Sequence, residues 1–173
     1  MALLAINDGH NSSICTYKEG KINYAISEER ATREKNYFGF PYKSIEYAKE
    51  FNNFTTNNDF DKFIIYRDSL IDFIAFRVSK RSKNLPIIYK VFNRIFIIGL
   101  QRLMSNYPRI IRLIEKILPK YPVINFYSKL LKVNKNKIVL VNHHLSHAMS
   151  SLVGSRISKK QLLFTLDAEG DLE

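Results

Sequence analysis

Residues 2–27 read ALLAINDGHNSSICTYKEGKINYAIS. Three runs within it, ALLAIN at 2–7, SSICTY at 12–17 and KINYAIS at 21–27, are apolar or alternate apolar with polar side chains, the pattern of strands. Between them stand DGHN and KEGK, whose Asp, Asn and Gly residues adopt turn conformations at low cost. Links this short suit a meander of three strands and are too short for crossovers.

Further along, PYKSIEYAKEF at 41–51 opens with proline at a helix start and spaces Ile45, Tyr47, Ala48 and Phe51 near the helical period. DKFIIY at 61–66 returns to strand chemistry. KIVLVN at 137–142 reads as a buried strand that feeds a helix within VNHHLSHAMS, 141–150, and QLLFTLD at 161–167 reads as another strand, ending in an acid. A strand, helix, strand succession makes a parallel crossover. The fold class expected is therefore α/β with a mixed sheet.

Composition narrows the setting. A chain of 173 residues, 46% hydrophobic, can bury a real core, which excludes disorder as the main state. The lone Cys15 excludes an internal disulfide framework, and the N-terminus turns polar by residue 7, too early for a signal peptide. A cytoplasmic location is expected. The net charge of +11 is concentrated: residues 70–133 hold thirteen Lys or Arg against two acids, Asp72 and Glu115, while the remainder carries fourteen of each sign. That segment is patterned as amphipathic helices, with Ile88, Val91, Phe92, Ile95, Phe96 and Leu103 on one face and a second apolar stripe after Pro108. Lys90, Arg94 and Arg102 interrupt every apolar run short of the ~20 residues that span a bilayer. Its basic faces suit an anionic lipid or nucleic-acid surface or are simply solvated. The solvated face is favoured, because no Gly-rich or aromatic-interleaved recognition motif accompanies the charge.

Chemistry gathers elsewhere. Three of the four histidines fall within 143–147. His143 and His147, four apart, share one face of a helix and are spaced to hold one metal ion, although solvated helices and satisfied cores carry the same pair. In TLDAEGD, 165–171, Asp167 stands at the carboxyl end of a strand, where open sheets bind ligands. With the two histidines it would complete a nitrogen and oxygen set with open positions, suited to iron or zinc; a turn cap, or Asp171 in its place, are the alternatives. The first turn, INDGHNSS at 6–13, offers backbone amides and the hydroxyls of Ser12 and Ser13 to an anion, and His10 as a proton acceptor or as an exposed hairpin residue. SEERATREK, 27–35, sets Arg30, Arg33 and Lys35 beside Glu28 and Glu29, either to hold a phosphate or carboxylate or as a charged surface loop.

In order, INDGHNSS, AISEERATREKNYFGFP, VNHHLSHAMSS and LFTLDAEGD resemble the N-terminal part of the NodU-like carbamoyltransferases, over roughly residues 1–50 and 137–171. The resemblance implies the actin-like, ribonuclease-H-like fold shared with the metal-binding subunit that transfers threonylcarbamoyl to tRNA. It divides the chain into a first half at 1–66 and 134–160, a basic helical insertion at 67–133, and the first strand of a second half at 161–173. It implies a divalent metal, iron being expected, on His143, His147 and Asp167; His10 as general base; and Arg30, Lys35 and Ser12 around the substrate. Full-length members carry a YrdC-like domain that makes carbamoyladenylate from carbamoyl phosphate and ATP. The carbamoyl group then passes to a hydroxyl of a sugar or other natural product, from nodulation oligosaccharides to aminoglycosides, and AMP is released. Members of that family are several times longer than 173 residues, and many carry glycine where this chain has Ala168. The polypeptide is therefore expected to be inactive alone, as one part of a split enzyme whose complementary chain bears the second half and the adenylate-forming domain, or as a shortened enzyme. The competing function is a non-catalytic binding module that uses the basic insertion; a nucleic-acid or membrane partner is the less favoured expectation.

Overall fold

The computed structural model describes residues 1–66 and 120–152, together with positions 73, 95, 98, 99, 102, 106 and 107. One compact unit joins Met1–Tyr66 to Val123–Val141, and residues from Asn142 onward belong to a second. The strand expected at 161–167, and nearly all of the helical pattern expected between 88 and 118, lie outside the described residues.

The first unit is built on five strands: β1 Ala2–Asn7, β2 Ser13–Lys18, β3 Lys21–Ser27, β4 Lys62–Ile65 and β5 Ile138–Leu140. Their order across the sheet is β3-β2-β1-β4-β5. The first three strands form the antiparallel meander read from the sequence, whereas β1 with β4 and β4 with β5 are parallel. Glu19 and Gly20, both at positive φ (54° and 83°), make the two-residue turn that KEGK announces. This is the mixed α/β sheet of an actin-like, ribonuclease-H-like half-domain.

Register places Leu4, Thr16 and Phe63 in one cross-sheet row and Ile6, Ile14 and Ile65 in the next, and all six are buried. Helix α2, Tyr42–Asn52, buries Ile45 and Ala48. It is tied to the sheet through a relay in which Thr16 donates to Asn23 Oδ1 (2.7 Å) and Asn23 donates to Asn52 Oδ1 (2.8 Å). Helix α3, Tyr121–Leu131, adds Val123, Tyr127 and Leu131, spaced four apart so that one face is apolar. Its last carbonyl, Leu131 O, accepts from Asn57 Nδ2 at 2.8 Å. Phe60 packs edge-on against Phe54 (4.9 Å) and Phe63 (5.7 Å).

A short helix not expected from the sequence, α1 Glu28–Thr32, follows β3 directly. Acids in its first turn suit the positive end of the helix, and Arg33 ends it at φ 64°. Glu28 is 1% exposed. Its carboxylate accepts the backbone N–H groups of Lys43 (3.0 Å) and Ser44 (2.8 Å). These are orphan donors of the first turn of α2, whose N-cap, Pro41, offers no side-chain acceptor. A residue of the charged stretch thus acts as a long-range cap. Among the described residues, no helix is long and apolar enough to cross a membrane.

Candidate functional site

The first turn is locked from within. Asn7 Oδ1 accepts the Gly9 N–H at 3.0 Å, and Asn7 Nδ2 donates to the carbonyls of His10 (3.2 Å) and Asn11 (3.4 Å). Ser12 is buried; its hydroxyl donates to Asn7 O (3.1 Å) and its carbonyl accepts the Glu28 N–H (2.8 Å). The amides of Gly9 and Ser12, which the sequence offers to an anion, are engaged inside the protein. Asp8 is buried, and its Oδ2 accepts the hydroxyl of Tyr127 at 2.5 Å. A Cβ added at Gly9 would fall on the Tyr66 hydroxyl, so the tyrosine would have to shift to admit a side chain there.

Against this turn lies the loop that follows α1. Ser12 N–H donates to Tyr37 O at 3.1 Å and Gly39 N–H to Gly9 O at 3.3 Å, with an antiparallel bridge between His10 and Phe38. The loop takes its shape from positive φ at Arg33, Asn36 and Gly39 (64°, 55° and 138°) and from Glu29 Oε2, which accepts the Asn36 N–H at 3.1 Å. The structure therefore brings the His10 turn and the loop bearing Lys35 side by side. His10, Arg30 and Lys35 are all exposed, Arg30 on α1 and Lys35 within the loop. Tyr37, half-buried in the same loop, has its phenol pushed above the ordinary value, first by burial and then by the carboxylates of Glu28 and Glu34. At neutral pH it is a neutral hydroxyl.

Helix α4, His143–Leu152, belongs to the second unit. Asn142 caps it: its Oδ1 accepts the Leu145 N–H at 2.9 Å, and its carbonyl accepts the Ser146 N–H at 3.0 Å. Positions 143 and 147 stand one turn apart in this helix, as the sequence spacing requires, and His147 is exposed. The side chains of His143 and His144, and all of Asp167 and Asp171, lie outside the described residues. Among the described residues, no three His, Cys, Asp or Glu side chains gather around a common point.

Asp8, Tyr66 and Tyr127 had no role in the site read from the sequence, and Glu28 entered it only as a neighbour of the cations. A buried acid in a turn, or a tyrosine contact across more than a hundred residues, leaves no periodic signal.

A mixed five-stranded sheet in this order is that of an actin-like, ribonuclease-H-like half-domain, and the His10 turn meets the loop after α1 through backbone hydrogen bonds. The chain matches the family of the carbamoyltransferase N-terminus over residues 3–173 and belongs to it. Among curated proteins it is 53% identical over 45 residues to "Uncharacterized protein MJ1051" of Methanocaldococcus jannaschii. That stretch covers 26% of this chain and spans only 9% of the relative's length.

Proposed function

We propose that this chain carries the acceptor-activating part of an O-carbamoyltransferase, which moves a carbamoyl group from carbamoyladenylate to a hydroxyl of a sugar or natural product. The observation that supports this reading most is the backbone junction of the His10 turn with the loop of Lys35. It joins the backbone of the turn that carries His10 to the loop that carries Lys35, and an exposed imidazole and exposed cations on adjoining segments suit an acceptor hydroxyl and a phosphate. His10 takes the proton of the hydroxyl as its oxygen attacks the carbamoyl carbon. The bond from that carbon to the phosphate oxygen breaks, and AMP leaves with the bonding pair. Lys35 and Arg30 hold the phosphate. Ser12 contributes by fixing the turn, its hydroxyl proton being held by Asn7.

Positions 143 and 147 stand one turn apart in a capped helix, a spacing suited to a divalent cation, so His143 and His147, with Asp167, would be the residues to hold the iron expected from the family likeness. When bound, such a metal supplies Lewis-acid polarisation of the carbamoyl group. Dependence on ATP and carbamoyl phosphate suits a cytoplasmic setting.

The test combines the protein with a complementary chain that bears the second actin-like half and the adenylate-forming domain, which makes carbamoyladenylate in situ from carbamoyl phosphate and ATP, and offers a panel of aminoglycosides and oligosaccharides. His10→Ala is expected to lower the transfer rate by about 10²- to 10⁴-fold, the range for losing a general base. Transfer at the unaltered rate in that variant would dismiss the assignment.

A further inference from the structure

Tyr127 belongs to the stretch that the sequence groups with the basic insertion, yet its hydroxyl reaches the first turn. It is fully buried, and 119 residues separate it from Asp8, whose Oδ2 accepts its proton at 2.5 Å. For packing alone phenylalanine would serve at such a position, since a buried hydroxyl is costly unless it is bonded. Here the hydroxyl meets a residue two positions from His10.

His10 itself is exposed. Its place is set by its backbone, between buried Asp8 and buried Ser12. Asn7 and the 37–39 loop brace the turn through Gly9, His10, Asn11 and Ser12. Helix α3 reaches the turn through the Tyr127 hydroxyl on Asp8. We propose that Tyr127 is a positioning residue for His10, acting through Asp8 to hold the first turn against the basic loop. The catalytic weight of this assignment rests on the proposed role of His10; the geometric link stands apart from it and is measurable without any transfer reaction.

The experiment uses Tyr127→Phe in the full chain, which keeps the ring and removes only the donor. Backbone hydrogen exchange is read at Ser12 and Gly39, whose N–H groups close the junction, and at Asp61, whose N–H donates to Ala2 O at 2.8 Å at the opposite end of β1. Exchange at Ser12 and Gly39 is expected to rise about tenfold relative to Asp61, with a shift in the His10 imidazole resonances. Asp8→Asn, which still presents an oxygen to the Tyr127 hydroxyl, is expected to keep protection within about twofold of the parent, whereas Asp8→Ala loses it. An equal rise at all three amides, or none, would overturn the proposal, as would an Asp8→Ala variant with the parent's pattern. Should Tyr127→Phe not fold, the contrast between Asp8→Asn and Asp8→Ala decides the same question. In a His10→Ala background the exchange contrast is expected to persist, so failure of the transferase reading and failure of the Tyr127 link are told apart.

Discussion

Glu28→Gln tests how the fold holds its charged stretch. The substitution preserves size and rotamers but replaces one carboxylate oxygen by an NH₂ group. Of the two donors now satisfied, Lys43 N–H at 3.0 Å and Ser44 N–H at 2.8 Å, one then faces another donor. A hydrogen bond to a charged group contributes about 1.5–3 kcal/mol, and an anion partly buried at a helix N-terminus adds up to ~2 kcal/mol. Burying a neutral amide is less costly than burying a carboxylate, which offsets part of that loss. The net expectation is a destabilisation of about 2 kcal/mol, or roughly 4–8 °C in Tm for a chain of this size. Denaturant unfolding of the parent, Glu28→Gln and Glu29→Gln supplies the comparison. Glu29 also accepts a backbone N–H, from Asn36 at 3.1 Å, but that bond is exposed, and its loss is expected to cost about 0.5 kcal/mol. A Glu28→Gln variant no less stable than Glu29→Gln would refute the long-range cap.

Two further outcomes are expected. Gly9→Ala forces a Cβ onto the Tyr66 hydroxyl and should cost about 1–3 kcal/mol; Gly9→Ala combined with Tyr66→Phe should recover most of that, and a purely additive pair would show the contact to be irrelevant. Asp59, whose Oδ2 accepts the N–H groups of Thr55 and Thr56 at 2.8 Å each, is held below the ordinary carboxylate value of 3.8 chiefly by those bonds. A depressed folded pKa adds stability above the unfolded value and loses it as pH falls through the folded one. The stability gap between the parent and Asp59→Asn should thus be constant above about pH 5 and shrink below about pH 4, as followed by urea unfolding across pH; a gap unchanged down to pH 2 would contradict it.

What the sequence reveals and what it hides separate along a physical line. Strand β3 at 21–27 and β1 at 2–7 are legible to the residue because alternation and the KEGK turn are local signals. Helix α2 is legible from Pro41 and the spacing of Ile45 and Ala48. Helix α1 is not, since five mostly charged residues have no apolar period; Glu28 is its buried residue and ties it to α2. Helix α3 is obscured by composition: the charge of the 70–133 segment dominates a reading by net charge, while the stripe of Val123, Tyr127 and Leu131 places 123–131 in the compact unit of the sheet.

The same line runs through the site. His10, Arg30 and Lys35 are conspicuous in the sequence because exposed imidazole and cations carry chemistry, but their mutual placement depends on groups with no such signature. Ser12 shows how. Its N–H is fixed by Tyr37, its hydroxyl by Asn7 and its carbonyl by the Glu28 N–H, so the turn, the loop and α1 meet at one buried serine. The Glu28 carboxylate then carries that junction to α2, and Asp8 carries it to α3. Two buried acids therefore couple the orientation of a surface histidine to the packing of two helices. A helix substitution far from any substrate, such as Ala48→Gly in α2, should for that reason loosen the Ser12 amide before it exposes the strands beneath.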